Sequence, residues 1–126
     1  MKTFTLSKEI TWDTVNELIT ALDMCEDEQV TIYIDSPGGT VSAGDALIHY
    51  MNTSHLGFTL IGSGSLDSMA FEIFFFSNTY KELLPGTSGI VHVGDGETMM
   101  SESKTSHKEW KKLVKKLSKK YNKLCE

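Results

Sequence analysis

The chain alternates between strand-like and helix-like segments, and this alternation limits the folds that it can adopt. Three runs of β-branched and aromatic residues are each followed by apolar residues at helical spacing, and two more strand-like runs come after them. The strand-like runs are residues 3–6, 30–34, 58–61, 80–84 and 90–93, and the helical patterns are residues 14–22, 41–51 and 69–76. Strands that alternate with helices favour a parallel sheet with helical crossovers, so the sequence predicts an α/β layered fold.

Two of the helical patterns carry further information about packing. Residues 69–76 are apolar on nearly every side, with Glu72 as the one polar interruption, so we expect this helix to be buried all round at the centre of the domain. The first helical pattern is amphipathic, and either Thr11 or Asp13 is suited to cap its N-terminus.

Length and composition are ordinary for one folded domain. The chain has 126 residues, of which 40% are hydrophobic and 23% are charged. Its longest strongly apolar run, residues 71–76, is too short to cross a bilayer, and its amino terminus lacks the pattern of a secretion signal. We therefore expect a single domain over residues 1–126 that is cytoplasmic and has no membrane partner.

Charge is unevenly distributed along the chain. Residues 1–103 contain 15 acids and three lysines, whereas residues 104–126 contain nine lysines and two acids, and arginine is absent. Arginine supplies the two-pronged donor that reads phosphate and guanine, so its absence argues against a nucleic-acid partner despite the lysine run.

The two cysteines, Cys25 and Cys125, lie near opposite ends of the chain. Neither belongs to a CxxC motif or to a Cys/His spacing typical of zinc sites. The sequence therefore predicts two unpaired thiols, no metal site and no cofactor.

The lysine-rich segment, residues 104–126, has the pattern of a long amphipathic helix. Its apolar residues recur at helical spacing and are Trp110, Leu113, Val114, Leu117, Tyr121 and Leu124. Two interpretations remain open. The helix either lays this stripe on the core of its own chain or uses it to associate with another subunit.

Two strand-to-helix turns carry the residues best suited to chemistry. They are SPGG, residues 36–39, and GSLDSMA, residues 64–70. The carboxyl ends of parallel strands, where helix N–H groups are free, are the usual place for sites in α/β proteins. Ser68 is a candidate nucleophile there, and His92 is a candidate base. Each residue alone also fits a structural role, with SPGG as a turn, Ser68 as a helix cap and His92 as a hydrogen-bonded histidine.

Taken together, three motifs resemble ClpP, the proteolytic subunit of the Clp protease, a serine peptidase with a crotonase-like fold that encloses its own chamber. The motifs are YIDSPGGTVSAGDAL, GSLDSMA and LLPGTSGIVH, in that order. Their spacing is family-like, since 29 residues separate Gly39 from Ser68 and 24 separate Ser68 from His92. The resemblance covers nearly the whole chain.

The resemblance implies a role for each matching residue. Ser68 would be the nucleophile and His92 the general base, while the backbone N–H groups of Gly39 and Met69 would form the oxyanion hole. An extended substrate would pair with backbone on both sides as an added strand. The residues on these two sides are Gly38, Gly39, Thr40 and Val41, and Gly94, Asp95, Gly96 and Glu97.

The resemblance also implies partners. Unfolded peptides would be the substrates, copies of the chain would form rings, and residues 104–126 would match the handle helix that packs one ring on another. An ATP-driven unfoldase is a further partner in the family. The axial loops that take part in unfoldase docking there have no counterpart in these residues.

Two departures from the family pattern bear on catalysis. The family's triad carboxylate lies beyond the handle helix and has no match here, as expected for a short, C-terminally truncated member. Ser68 and His92 would then act as a dyad without a third residue, unless Asp95 or an acid of a neighbouring subunit replaces it. Asp45 is more suited to face solvent. The other departure is Asp67, which stands where the family has a small residue and is suited to capping the helix or to disfavouring a nearby oxyanion.

The sequence thus leaves three functions to compare. The first is a serine-type endopeptidase that uses Ser68 and His92. The second is a catalytically weak or inactive ClpP-like scaffold or regulatory subunit, and the third is a crotonase-type acyl-CoA enzyme, which would not need that pair.

The apolar stripe of residues 104–126 yields a prediction about assembly. Burying a large apolar side chain stabilises a contact by roughly 1.5 to 3 kcal/mol, so Leu117→Glu should dissociate an assembly held by this stripe. Sedimentation velocity at micromolar concentration measures the change. A monomeric unsubstituted chain would contradict the prediction.

Overall fold

The computed structural model describes residues 2–93 and 96–101. In chain order the elements are β1 (Lys2–Leu6), α1 (Trp12–Asp23), β2 (Gln29–Ser36), α2 (Val41–Thr53), β3 (Gly57–Leu66), α3 (Met69–Phe76), β4 (Tyr80–Leu83), β5 (Ser88–Val93) and β6 (Gly96–Ser101). The five strands and three helices that the sequence predicted within these residues are all present. The helix predicted within residues 104–126 lies outside the described residues.

The strands form one sheet in the order β1-β2-β3-β5-β6, and β4 pairs with the first half of β3. Every strand pair is parallel except β5 with β6. Helices α1, α2 and α3 connect β1 to β2, β2 to β3 and β3 to β4. The predicted α/β fold with a parallel sheet is therefore confirmed.

Helix α3 forms the centre of the core. Phe71, Ile73 and Phe74 are at most 1% exposed. Phe75 and Phe76 are only partly buried, so burial on all sides holds for most of the helix but not for its last turn. The Phe75 ring lies 4.3 Å from that of Phe71 and 4.9 Å from that of Phe74, which extends the packed aromatic cluster to the helix end.

Strand β3 continues through residues that the sequence analysis assigned to a turn. The predicted strand ended at residue 61, but β3 extends to Leu66. Its glycines permit close packing: a Cβ on Gly62 would lie 2.8 Å from the Leu83 side chain, and one on Gly64 would lie 2.5 Å from the Asp35 carboxylate. Glycine inside a strand often marks such close approach rather than a chain reversal.

The strand β6 was not predicted. Its sequence, GETMMS, has one β-branched residue, Thr98, so its strand propensity is low. The strand forms by antiparallel pairing with β5, in which His92 is opposite Glu97 and Ile90 is opposite Met99. A partner strand supplies hydrogen bonds that local propensity does not reveal.

Two further observations bear on the sequence predictions. Among the described residues, no helix is both long enough and apolar enough to cross a membrane. Cys25 is a partly buried free thiol, as predicted, and Cys125 lies outside the described residues.

Thr11, not Asp13, caps α1. The Thr11 Oγ1 atom accepts a hydrogen bond from the Thr14 N–H at 3.1 Å, and the Thr14 Oγ1 atom accepts one from the Thr11 N–H at 2.8 Å. Asp13 lies in the first turn of the helix. The reciprocal pair satisfies two backbone donors that would otherwise lack a partner at the helix start.

Removing this cap should destabilise the domain. We expect Thr11→Ala to lower the free energy of unfolding by about 1 kcal/mol, because the helix loses the oxygen that accepts from Thr14. Thr11→Ser keeps the hydroxyl and should retain most of the stability. Urea denaturation of both variants measures the difference. Equal losses would show that the hydroxyl does not stabilise the helix.

Candidate active site

Ser68 lies at the junction between β3 and α3 in a strained backbone conformation. Its φ is 54° and its ψ is −119°. Ser68 is the one residue other than glycine with positive φ in the described part of the chain. A side chain in such a region costs about 1 to 3 kcal/mol, and such strain is concentrated at functional sites. The nucleophilic serine of α/β-hydrolases is exposed by a similar strained turn between strand and helix.

The hydroxyl of Ser68 is not used as a helix cap. Ser68 occupies the N-cap position of α3, but its side chain makes no capping hydrogen bond. Its carbonyl oxygen accepts from the N–H groups of Phe71 and Glu72 at 3.0 and 3.3 Å. The backbone of Ser68 therefore starts the helix, and the structural role that the sequence offered for its side chain does not apply.

The SPGG turn packs directly against Ser68. A Cβ on Gly38, whose φ is 94°, would lie 2.5 Å from the Asp67 carbonyl oxygen, 3.0 Å from the Ser68 Cβ and 3.2 Å from the Met69 nitrogen. No side chain fits there. The two turns that the sequence singled out are thus brought into contact, and glycine is what allows it.

Residue Ile10 fixes the other side of the SPGG turn. Its N–H donates to the Gly38 carbonyl oxygen at 2.8 Å, and its carbonyl oxygen accepts from the Thr40 N–H at 2.7 Å. Ile10 itself is fully buried. These two bonds leave the Gly39 N–H between them without a partner in residues 2–93 and 96–101.

The first amide of α3 also lacks an acceptor. Within the part of the chain that the structure describes, the Met69 N–H donates no hydrogen bond, whereas the Ala70 N–H donates to the Asp67 carbonyl oxygen at 3.0 Å. Free N–H groups at a helix start attract negative charge. Gly39 and Met69 therefore keep the donors that an oxyanion hole requires.

Strand β5 is bonded to the Ser68 turn. The Ser68 N–H donates to the Ile90 carbonyl oxygen at 2.6 Å, and the Ile90 N–H donates to the Asp67 Oδ1 atom at 3.0 Å. His92 lies two residues further along β5. The predicted nucleophile and base are thus carried on segments that are hydrogen-bonded to each other.

The bond made by Asp67 differs from the helix-capping role that the sequence suggested for it. The partly exposed carboxylate accepts from the backbone of β5 rather than from an N–H group of α3. Sequence reasoning missed this contact because Ile90 is 23 residues away. The available signal was an acid directly between a buried strand residue, Leu66, and the serine of the turn.

The predicted substrate-flanking residues lie at different places in the structure. Thr40 is the N-cap residue of α2, and Val41, the first residue of that helix, is 59% exposed. Gly96 begins β6. Gly94 and Asp95 lie outside the described residues.

The other acids and histidines that the sequence weighed are on the surface where they are described. Asp45 is exposed on α2, and partial desolvation there raises the pKa of its carboxyl group. His49 and His55 are exposed, and His107 lies outside the described residues. The described residues contain no group of three or more His, Cys, Asp or Glu side chains that could hold a metal ion.

Comparison with known proteins shows the family of the chain. The family model for Clp protease matches residues 2–126. The chain belongs to the Clp protease family. ATP-dependent Clp protease proteolytic subunit 3 of Rhizobium etli is 28% identical over 117 residues, which cover 90% of this chain and 60% of that protein.

A solved structure extends the match to three dimensions. The ClpP protease catalytic domain from Plasmodium falciparum has a TM-score of 0.66 and 29% identity, and the match covers 72% of this chain and 55% of that one. The ClpP-like fold that the motifs implied is therefore confirmed. The chain spans about 60% of the length of the Rhizobium etli relative.

The contact between the two turns yields a prediction about Gly38. Alanine there would meet both positive φ and the Asp67 carbonyl oxygen. Gly86 also has positive φ, 86°, but nothing lies within 4 Å of an added Cβ. We expect Gly86→Ala to lose roughly 1 to 2 kcal/mol of stability from φ alone. Gly38→Ala should lose roughly 1 to 3 kcal/mol more from overpacking.

Urea denaturation of the two glycine variants separates these contributions. The Gly86 variant measures the backbone cost, and the difference between the variants measures the clash at the Ser68 turn. Equal losses would mean that the turns are not packed as tightly as the structure has them.

Proposed function

We propose that this chain is a serine-type endopeptidase subunit of the ClpP type, with Ser68 as nucleophile, His92 as general base and the N–H groups of Gly39 and Met69 as the oxyanion hole. The observation that carries the proposal is the strained Ser68, whose hydroxyl caps nothing and whose neighbouring turns leave both N–H groups without acceptors. A hydrolase needs this combination of an exposed nucleophile and preorganised donors.

The proposed reaction proceeds by acyl transfer. The Ser68 oxygen attacks the peptide carbonyl carbon while its proton passes to the His92 imidazole, and the carbonyl oxygen becomes an oxyanion held by the two N–H groups. The C–N bond then breaks, the leaving amine takes the proton from the imidazole, and an ester to Ser68 remains. Water, activated by the same imidazole, hydrolyses that ester and regenerates the serine. The reaction requires no cofactor.

The substrates we propose are unfolded peptides bound as an added strand. Their backbone would pair with residues 38–41 on one side and residues 94–96 on the other. The Gly38 carbonyl oxygen and the Thr40 N–H are already bonded to Ile10, so pairing on the first side would use the remaining backbone groups.

We also propose that copies of the chain assemble into rings in the cytoplasm. Residues 104–126 would serve as the handle helix, and an ATP-driven unfoldase would be the partner that delivers substrate. Family membership and the apolar spacing of the lysine-rich segment support this assembly.

A catalytically weak scaffold is the second candidate, and Asp67 favours it. Its carboxylate directly precedes Ser68 in the chain, and a negative charge near a developing oxyanion disfavours the transition state. The scaffold would keep the fold and the assembly of the family with little or no turnover.

A fluorophosphonate probe distinguishes the two candidates, because it reacts covalently with an activated serine. We expect the unsubstituted chain to be labelled, Ser68→Ala to be unlabelled, and His92→Ala to lose at least a hundredfold in labelling rate, a typical contribution of a positioned base. Intact-protein mass spectrometry measures the labelling.

Ser65 supplies the matched control. It is a partly buried serine three residues earlier on β3, so Ser65→Ala removes a hydroxyl from the same strand and should label normally. Circular dichroism confirms that each variant is folded. A folded, assembled chain that is neither labelled nor able to cleave an unstructured peptide would establish the scaffold instead.

A further inference from the structure

We propose that Asp67 is a positioning residue, whose carboxylate holds β5 in register with the Ser68 turn and so keeps His92 in place. The inference rests on the proposed function and extends it to a residue that never touches the substrate. It concerns the position immediately before the nucleophile, where the family pattern has a small residue.

In the described part of the chain, strand β5 has only one registered pair with β3, the strand that leads into the Ser68 turn. That pair is Ser65 with Ser88. Beyond that pair β3 ends at Leu66 and the chain turns into α3, so the registered pairing with β3 does not continue along β5. The Asp67 Oδ1 atom accepts from the N–H group of Ile90, two residues beyond the paired Ser88.

The result is a two-point attachment of one strand residue. The Ile90 N–H donates to the Asp67 side chain at 3.0 Å, and the Ile90 carbonyl oxygen accepts from the Ser68 N–H at 2.6 Å. His92 follows two residues later, about 6.6 Å further along at the usual strand rise. A shift of Ile90 relative to Ser68 would therefore also shift the backbone of His92 relative to Ser68.

The length of the Asp67 side chain suits this attachment. The β5 backbone packs closely on the end of β3, because a Cβ on Gly89 would lie 2.6 Å from the Leu66 carbonyl oxygen. A side chain with one more methylene would have to fold back to reach the same N–H. Asparagine, in contrast, has the same length and keeps an oxygen acceptor.

Three substitutions at this position separate the acceptor from the charge. Asp67→Asn keeps the acceptor without the charge, and Asp67→Ala removes both. Asp67→Glu keeps the charge on a side chain that is one methylene longer. A misplacement of about 1 Å in a catalytic group costs about 100-fold in rate. We therefore expect Asp67→Ala to lower kcat roughly 10- to 100-fold with less than about a threefold change in KM.

Rescue by the isosteric variant is the informative result. Asp67→Asn should match or exceed the unsubstituted chain in kcat, because it keeps the bond to Ile90 and removes a negative charge near the oxyanion. Asp67→Glu should fall between Asn and Ala. Hydrolysis of a fluorogenic unstructured peptide gives kcat and KM, and hydrogen exchange at the Ile90 amide reports on the bond independently of activity.

Asp35 is the matched control for a merely structural effect. Its Oδ1 atom accepts from the Ser65 N–H at 2.8 Å, which is also a bond between a carboxylate and strand backbone but is made to β3 rather than to β5. Asp35→Ala should lower the melting temperature about as much as Asp67→Ala while leaving kcat within about twofold. Hydrogen exchange, measured on the same assembled protein, shows whether Asp67→Ala is folded.

The outcomes are distinct. Faster exchange at Ile90 and lower kcat in Asp67→Ala, both restored in Asp67→Asn, would support the positioning role. Normal kcat in Asp67→Ala, or equal damage in Asp67→Asn and Asp67→Ala, would overturn it while leaving the peptidase function standing. Failure of the unsubstituted chain to be labelled or to cleave would overturn the proposed function, and the positioning role with it.

Discussion

Strand β3 is the element on which the rest of the structure depends, because β2, β4 and β5 all pair with it. Along one edge β3 pairs with β2 from Gly57 to Gly62 and again at Leu66, whereas along the other edge β4 pairs with its first half and β5 with its second half. On that second edge the strand therefore changes neighbours. Gly62 and Gly64 permit the change, since neighbouring side chains occupy the space that a Cβ would take. The point where β3 ends then determines where Ser68 is presented.

The strain at Ser68 is offset by the burial of the helix that follows. Met69, Phe71 and Ile73 are fully buried. Each such side chain contributes roughly 1.5 to 3 kcal/mol, which together exceeds a strain of about 1 to 3 kcal/mol at one residue. A helix with an apolar surface on most sides can therefore hold a strained turn at its start. The strongest structural signal in the sequence, residues 69–76, thus also supports the residue proposed as nucleophile.

Sequence patterns predicted the elements more completely than the contacts between them. Helix α3 was predictable because its residues form a nearly continuous apolar run, and the strand containing Ile32 was predictable because its apolar side chains alternate. The extension of β3 past Gly62 was not predictable, since glycine is common both in turns and in closely packed strands. Only the neighbours that pack against it decide between the two. The strand β6 was missed because pairing with β5, rather than propensity, forms it.

The same limit applies to the candidate site. Ser68, Gly39 and Met69 could be located as candidates because the motifs around them resemble those of the ClpP family. The bond between Asp67 and Ile90 could not be predicted from the sequence, because it joins positions 23 residues apart and depends on where β3 stops.

That bond also changes how the charge of Asp67 acts. A carboxylate that accepts from a backbone N–H and is partly exposed has its charge partly balanced and screened, which weakens its repulsion of a nearby oxyanion. The contact that anchors β5 therefore also reduces the electrostatic conflict that an acid beside a nucleophile creates.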